Sequence, residues 1–216
     1  MELARTLEST LLRADATPGD VEALVGEAAR LGLLGVCVSP RFVPLARTCA
    51  EGSGLVVVTV AGFPLGTSAT ATKVAEARLA VEEGASEVDL VVPVGLALYG
   101  AEGAVEAEVR AVREAVPGVA LKVILETGYF GAERLARVAE AALRGGADFL
   151  KTSTGFGPRG VTVGDVRLLF ELARGRAEVK ASGGIRTRRF ALELLEAGAT
   201  RLGTSSAAEI LSDPSG

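Results

Sequence analysis

Eight short runs of β-branched and leucine-rich residues recur along this chain, and longer amphipathic stretches separate them. The runs are Leu7–Leu12, Gly35–Ser39, Leu55–Ala61, Glu87–Val92, Leu121–Glu126, Phe149–Ser153, Glu178–Ser182 and Arg201–Ser205. Helical periodicity marks Val21–Leu31, Ala69–Glu83, Ala104–Val116, Glu133–Arg144 and Arg188–Ala197. Thr17-Pro18 reads as an N-cap and first helical position. Thr162, with Asp165 three residues on, reads as a capping box. Gly32, Gly84, Gly146 and Gly198 read as helix-closing glycines. Nearly continuous apolar strands, each followed by a helix, predict a parallel sheet covered on its faces. Eight such units in 216 residues predict the α/β class and a (β/α)8 TIM barrel, with residues 1–216 as a single domain. A doubly wound open sheet is the structural alternative. No Gly-x-Gly-x-x-Gly opens the first helix, which weakens a dinucleotide-binding version of it.

Each of the four helix-closing glycines stands five residues before a strand residue: Gly32 before Cys37, Gly84 before Asp89, Gly146 before Lys151 and Gly198 before Gly203. These fall on alternate strands. A layer of interior side chains in such a barrel comes from alternate strands, so Cys37, Asp89, Lys151 and Gly203 are expected at one level. The other strands then contribute Lys122 and Lys180.

Composition removes whole classes of chemistry. The chain has no histidine, so a Ser-His-Asp triad and a Cys-His pair are impossible. A zinc site of the usual kind is not expected, and neither a metal nor a cofactor is called for. Cys37 and Cys49 have no metal spacing and are too few for a disulfide framework. A net charge of −4 with interspersed signs argues against nucleic-acid or anionic-membrane partners. No run reaches membrane-spanning length and no leader is read at Met1–Leu12, so a cytoplasmic protein is expected. The remaining tools are amines, carboxylates and hydroxyls.

Asp89, Lys122, Lys151 and Lys180 each interrupt an apolar strand. Outward charges would be buried unpaired beneath helices, at a cost of several kcal/mol. Inward, they can form a structural ion-pair network or line a polar pocket. One carboxylate does not balance three ammonium groups; Glu126 is a candidate second, and an anionic ligand would help. Crowded lysines also have a chemical use. At an unperturbed pKa of ~10.4 about one amine in 2,500 is neutral at pH 7, and only the neutral amine attacks a carbonyl. A second ammonium ~6 Å away lowers that pKa by roughly two units, and desolvation acts the same way. One of these strand lysines is read as the amine nucleophile, Asp89 as acid and base, and Cys37 as a small buried residue bordering the pocket.

Three Gly/Ser/Thr loops follow strands six, seven and eight: Thr152–Gly157, Ser182–Arg186 and Gly203–Ser206, the last opening a short helix at Ala207–Leu211. Loops after strands seven and eight, with a short helix, commonly hold phosphate in these barrels. Thr154, Gly155, Gly183, Gly184, Arg186, Gly203, Ser205 and Ser206 are the candidate phosphate-binding residues. A short carbonyl compound with a phosphate at one end is the expected substrate.

The segments Gly35–Pro40, Val60–Gly66, Glu87–Val91, Leu121–Thr127, Asp148–Phe156, Val179–Arg186 and Arg201–Ser205 together resemble the 2-deoxy-D-ribose-5-phosphate aldolases over nearly the whole chain. The resemblance implies a metal-independent class I aldolase, with Lys151 forming a Schiff base. It implies Asp89 and Lys180 as proton-transfer and pKa-tuning partners. It implies Gly155, Gly183, Gly184, Ser205 and Ser206 around the phosphate, and a homodimer or homotetramer. The chain departs from the family at Glu8-Ser9-Thr10-Leu11-Leu12-Arg13, where Asp-His-Thr-Leu-Leu-Lys is usual, and at Pro93, where Asn is frequent. Nor does Ser215-Gly216 supply the tyrosine of many family tails. The rival readings are another imine-forming aldolase, a phosphate-binding barrel without chemistry, and a sugar-phosphate isomerase.

Overall fold

The structure, a computed structural model, describes residues 2–213; Ser215 and Gly216 lie outside the described residues. A 3-10 turn, Leu3–Thr6, leads into β1 (Leu7–Leu11). There follow α1 (Pro18–Arg30), β2 (Gly35–Val38), α2 (Val43–Cys49), β3 (Val56–Ala61), α3 (Thr70–Glu82), β4 (Glu87–Val91), α4 (Val94–Tyr99) and α5 (Glu102–Ala115). The second half holds β5 (Ala120–Ile124), α6 (Ala132–Arg144), β6 (Phe149–Lys151), α7 (Val163–Ala173), β7 (Glu178–Ser182), α8 (Arg188–Glu196), β8 (Arg201–Thr204) and α9 (Ala207–Ser212). Each strand pairs in parallel with its sequence neighbours, and β8 pairs with β1, so the sheet is a closed barrel. Closure removes the open-sheet alternative.

Local chemistry explains the element ends. The Thr17 hydroxyl accepts from the Asp20 N–H at 3.3 Å, and the Asp20 carboxylate accepts from the Thr17 N–H at 2.7 Å. Thr162 and Asp165 repeat this box at the start of α7, at 3.1 and 2.9 Å. Each satisfies two otherwise orphaned N–H groups. Gly198 takes φ +112° after α8, and a β-carbon there would sit 2.5 Å from the Phe170 ring. Two expected strands end early. β5 stops at Ile124 because Glu126 takes φ +58° and turns the chain into the 3-10 segment Thr127–Tyr129. β6 stops at Lys151, where the chain leaves for the loop carrying Thr152 and Ser153. The helices α2 and α4 were not expected; at seven and six residues they are too short for periodicity to mark.

Outward strand residues such as Val36, Val57, Val88, Leu90, Leu121, Val123, Leu150 and Leu202 pack against Val25, Val105, Val109, Leu135, Val138 and Leu169 of the helices. Burying each such side chain contributes about 1.5–3 kcal/mol, so the annulus between barrel and helices carries most of the apolar stabilisation. Inside, the strand register sorts the inward side chains into levels. Cys37 pairs with Val58 and Val58 with Glu87, so Asp89 stands two residues above the level rung. The same offset recurs from Asp89 through Lys122 and Phe149 to Lys151, and from Lys151 through Lys180 and Arg201 to Gly203. A last offset runs from Gly203 through Glu8 and Gly35 back to Cys37. That is the stagger of a tilted eight-stranded barrel, and it sets Cys37, Asp89, Lys151 and Gly203 level, as expected. One layer below stand Glu8, Val58, Lys122 and Lys180. Below those stand Gly35, Glu87, Phe149 and Arg201. Among the described residues no helix is long and apolar enough to cross a membrane.

Candidate active site

The inward charges meet on the barrel axis. Asp89 is fully buried and receives all three lysines. Its Oδ2 lies 2.7 Å from the Nζ of Lys151 and 2.7 Å from that of Lys180, and its Oδ1 lies 3.0 Å from Lys122. The Lys151 side chain is 4% exposed, whereas those of Lys122 and Lys180 are 0% exposed, so Lys151 is the amine nearest the open end. Gly203 makes room for this arrangement. A β-carbon there would stand 3.3 Å from Cε of Lys180 and 3.2 Å from Cβ of Ser182.

The charge partners differ from the expectation. Glu126 does not approach the lysines; its Oε2 accepts from both the N–H and the hydroxyl of Thr154. The balancing carboxylates are Glu8 and Glu87. Glu8 accepts from Lys180 and stands 3.8 Å from Lys122, and Glu87 lies 2.5 Å from Lys122. Arg201 completes the floor, 3.0 Å from Glu8 and 3.1 and 3.2 Å from the two oxygens of Glu87. None of these three had been singled out as a counter-charge. The period-two rule would have found two of them, since Glu87 stands two residues before Asp89 and Arg201 two before Gly203. Glu8 lay in the segment noted for departing from the family pattern.

The environment separates the three amines. Burial pushes the Lys151 amine down from its ordinary value; Asp89 opposes this and Lys180 adds to it. Burial is thus a larger cause than the neighbouring ammonium. Burial also acts on Lys180, but Asp89 and Glu8 outweigh it and raise its pKa. Lys122 is raised in the same way by Asp89 and Glu8. Burial favours the neutral acid at Asp89, yet Lys122, Lys151 and Lys180 hold the carboxyl well below its usual range. Burial pushes the Cys37 thiol up to about 11, so it faces this cluster as a neutral S–H at neutral pH.

The three polar loops converge at the same open end. Gly183 (φ +100°) and Gly184 (φ +81°) follow β7, and Gly155 (φ +88°) follows β6. A β-carbon at Gly183 would lie 3.6 and 3.7 Å from the α-carbons of Gly160 and Gly155, which is how closely the two backbones pass. The Val161 N–H donates to the Gly183 carbonyl at 3.0 Å. From the β8 loop, the Thr204 hydroxyl donates to the Ile185 carbonyl at 2.6 Å and accepts from the Ser206 N–H at 2.9 Å. Ser205 and Arg186 are exposed, Ser206 half-buried. Thr154 is placed differently from its fellows: its hydroxyl and N–H are both spent on Glu126, so it anchors the loop and has no free donor for an anion.

A buried amine driven toward neutrality, a carboxylate fixed as its anion beside it, and glycine-rich loops at the barrel mouth suit covalent carbonyl chemistry. The DeoC/LacD family aldolase model matches residues 8–212, a span that contains every charged residue of this cluster. The chain belongs to the DeoC/LacD aldolase family. It is 53% identical over 216 residues to a deoxyribose-phosphate aldolase of Thermus thermophilus, covering 100% of this chain and 98% of that one. Identity to the Deinococcus radiodurans deoxyribose-phosphate aldolase is 51%, covering 98% of this chain and 96% of the relative. Among solved structures, the tetrameric deoxyribose phosphate aldolase from Aeropyrum pernix superimposes with a TM-score of 0.89 at 36% identity, covering 97% of this chain and 89% of that one. This protein is an aldolase of that family, a lyase on a TIM barrel.

Proposed function

We propose that the chain reversibly cleaves 2-deoxy-D-ribose 5-phosphate to D-glyceraldehyde 3-phosphate and acetaldehyde, with Lys151 as the Schiff-base nucleophile. The carrying observation is that, of three lysines on one carboxylate, only Lys151 is driven toward the neutral form. Neutral Lys151 attacks the open-chain aldehyde and water leaves, giving a protonated imine. The 3-hydroxyl then loses its proton, the bond between carbons two and three breaks, and its electron pair moves into the imine. Asp89 receives the hydroxyl hydrogen bond and relays the proton through water. A carboxylate held so firmly as its anion is a relay and not a lasting store. Glyceraldehyde 3-phosphate departs, the enamine is protonated on carbon, and hydrolysis returns acetaldehyde and Lys151.

Gly155, Gly183, Gly184, Arg186, Gly203, Ser205 and Ser206 are the residues we assign to the phosphate side. The convergence of the three loops and the exposed guanidinium of Arg186 support this. The tetrameric Aeropyrum pernix relative supports a homo-oligomer, and the two free cysteines suit a cytoplasmic location. Borohydride reduction in the presence of acetaldehyde should add one ethyl group per chain, mapped to the peptide bearing Lys151. The Lys151→Leu variant should show none. Trapping at full yield in that variant would refute the assignment, and faster turnover of ketone donors than of acetaldehyde would favour a different imine-forming aldolase.

A further inference from the structure

The floor of the barrel sets the charge at its mouth. Arg201 lies in the lowest of the three charged layers, with its guanidinium 5.2 Å from the centre of the Phe149 ring. Lys122 approaches the same ring at 5.8 Å and shares an oxygen of Glu87 with Arg201. Arg201 pairs with Glu8 on the adjoining β1 and reaches across the barrel to Glu87 on β4. Its side chain is 17% exposed, toward the end of the barrel opposite the glycine loops.

We propose that Arg201 is a positioning residue for the aldol reaction: it supplies the positive charge that leaves Lys151 as the surplus amine of the buried network. The deduction is a count of charges in a space too dry to tolerate an imbalance. The network holds three carboxylates, Glu8, Glu87 and Asp89, and four basic side chains, Lys122, Lys151, Lys180 and Arg201. It is neutral when one base is uncharged. Arg201 cannot be that base, since a guanidinium stays protonated. Lys122 touches all three carboxylates, and Lys180 touches two. Among the described carboxylates Lys151 touches only Asp89, which it shares with both other lysines. The proton is therefore cheapest to remove from Lys151. Without Arg201, three carboxylates would match three ammonium groups, and Lys151 would hold its proton to higher pH.

Geometry gives Arg201 a second duty. By holding Glu8 through Oε1, it leaves Oε2 to Lys180, whose ammonium then bears on the same Asp89 oxygen that meets Lys151. The groups facing Lys151 are Asp89 from β4, Lys180 from β7 and the neutral Cys37 thiol from β2. Those facing Lys180 are Asp89, Glu8, Cys37 and the amines of Lys122 and Lys151. Every one of them except Cys37 belongs to the count above.

The proposal rests on Lys151 being the nucleophile, and one experiment separates the two. The rate of acetaldehyde trapping by borohydride is followed against pH in the full-length protein and in four variants. Its acid limb reports the ionisation of the attacking amine. Arg201→Gln removes a positive charge and should move that limb up by roughly half to one pH unit. Glu8→Gln and Glu87→Gln remove a negative charge and should move it down. Arg201→Lys keeps the charge and should leave the limb close to wild type. Opposite movements are what loosened packing does not produce. Limbs that stay together, or that all move the same way, overturn the role of Arg201. If Arg201→Gln does not fold, the near-isosteric Glu8→Gln decides alone, and an unmoved limb there overturns the proposal. Absence of a trapped adduct on Lys151 in the wild type would instead refute the proposed function.

Discussion

Lys151 and Lys180 carry the same amine, oppose one another in the β6–β7 register, and bond to the same oxygen of Asp89, yet their proton affinities diverge. The difference is one carboxylate. Lys180 has Glu8 as well as Asp89, and Lys151 does not. Removing the ammonium of Lys180 should therefore harm the enzyme in two separable ways. Lys180→Gln leaves Glu8 with less positive charge in a dry interior, which we expect to cost about 3 kcal/mol in urea unfolding. It also relieves Lys151 of a neighbouring charge, so the acid limb of kcat/KM should rise and activity at neutral pH fall on the order of 100-fold. A loss of stability with an unmoved limb would show that Lys180 is structural only. The cysteines give a simpler contrast. Cys37 is buried with its thiol pushed up to about 11, whereas Cys49 is exposed. Iodoacetamide at neutral pH is expected to add one label per native chain, on Cys49, and a second only after denaturation. A native chain that takes both labels would mean that the interior near Lys151 opens to solvent.

The loop between β6 and α7 shows how an element can serve the site without touching the reacting atoms. It leaves the barrel immediately after Lys151, and its path is tied at two points. Glu126 grips Thr154, and Arg159 pairs with Asp165 at 2.5 and 2.9 Å just before and within the first turn of α7. Gly157 lies close under Glu126: a β-carbon there would meet the carboxylate at 2.6 Å. Glu126→Ala should free the loop and raise KM for the phosphorylated substrate several-fold. Acetaldehyde trapping on Lys151, which needs no phosphate contact, should hardly change. Equal losses in both assays would place Glu126 in the imine step. This residue also marks a limit of sequence reading. A glutamate at the end of a β-run looks like the next inward side chain, and its left-handed backbone, which breaks the alternation, carries no signal in the residue type. The capping boxes at Thr17 and Thr162 were legible because their chemistry is local, as were the glycines that close α1, α3, α6 and α8. The short helices α2 and α4 were not, because barely two turns cannot display a period.

Most TIM-barrel interiors are filled by branched apolar side chains, whereas three successive layers of this one hold seven charged residues on the axis. The level shared by Cys37, Asp89, Lys151 and Gly203 was visible in the sequence because helix-to-strand spacing repeats. Glu87 and Arg201 lay within reach of the same alternation, but which carboxylate serves which base was not legible, since that depends on which strands face one another across a closed barrel. An interior of this kind ties folding to pH. Burial acts to raise the pKa of Glu8, but Lys122 and Lys180 outweigh it, and Asp89 is held low in the same way. Groups whose folded pKa is depressed contribute stability that is present above their unfolded values near ~4 and is lost as pH falls through the folded values. Lys122 and Lys180 are raised, so their contribution is present below ~10.5 and is lost as pH climbs through their folded values. Lys151 runs the other way: its lowered pKa costs stability at neutral pH, and that cost fades as the unfolded chain also loses its proton near ~10.4. Urea unfolding across pH 2–11 should accordingly trace a plateau with a steep acid edge. Glu8→Gln removes one of the two depressed carboxylates of the barrel interior and leaves Lys180 leaning on Asp89 alone. We expect a plateau lower by roughly 2–3 kcal/mol and a shallower acid edge, because fewer protons are taken up on unfolding there. A variant that loses plateau stability but keeps the wild-type acid slope would mean that Glu8 is already protonated in the native barrel, and that Lys180 owes its charge to Asp89 only.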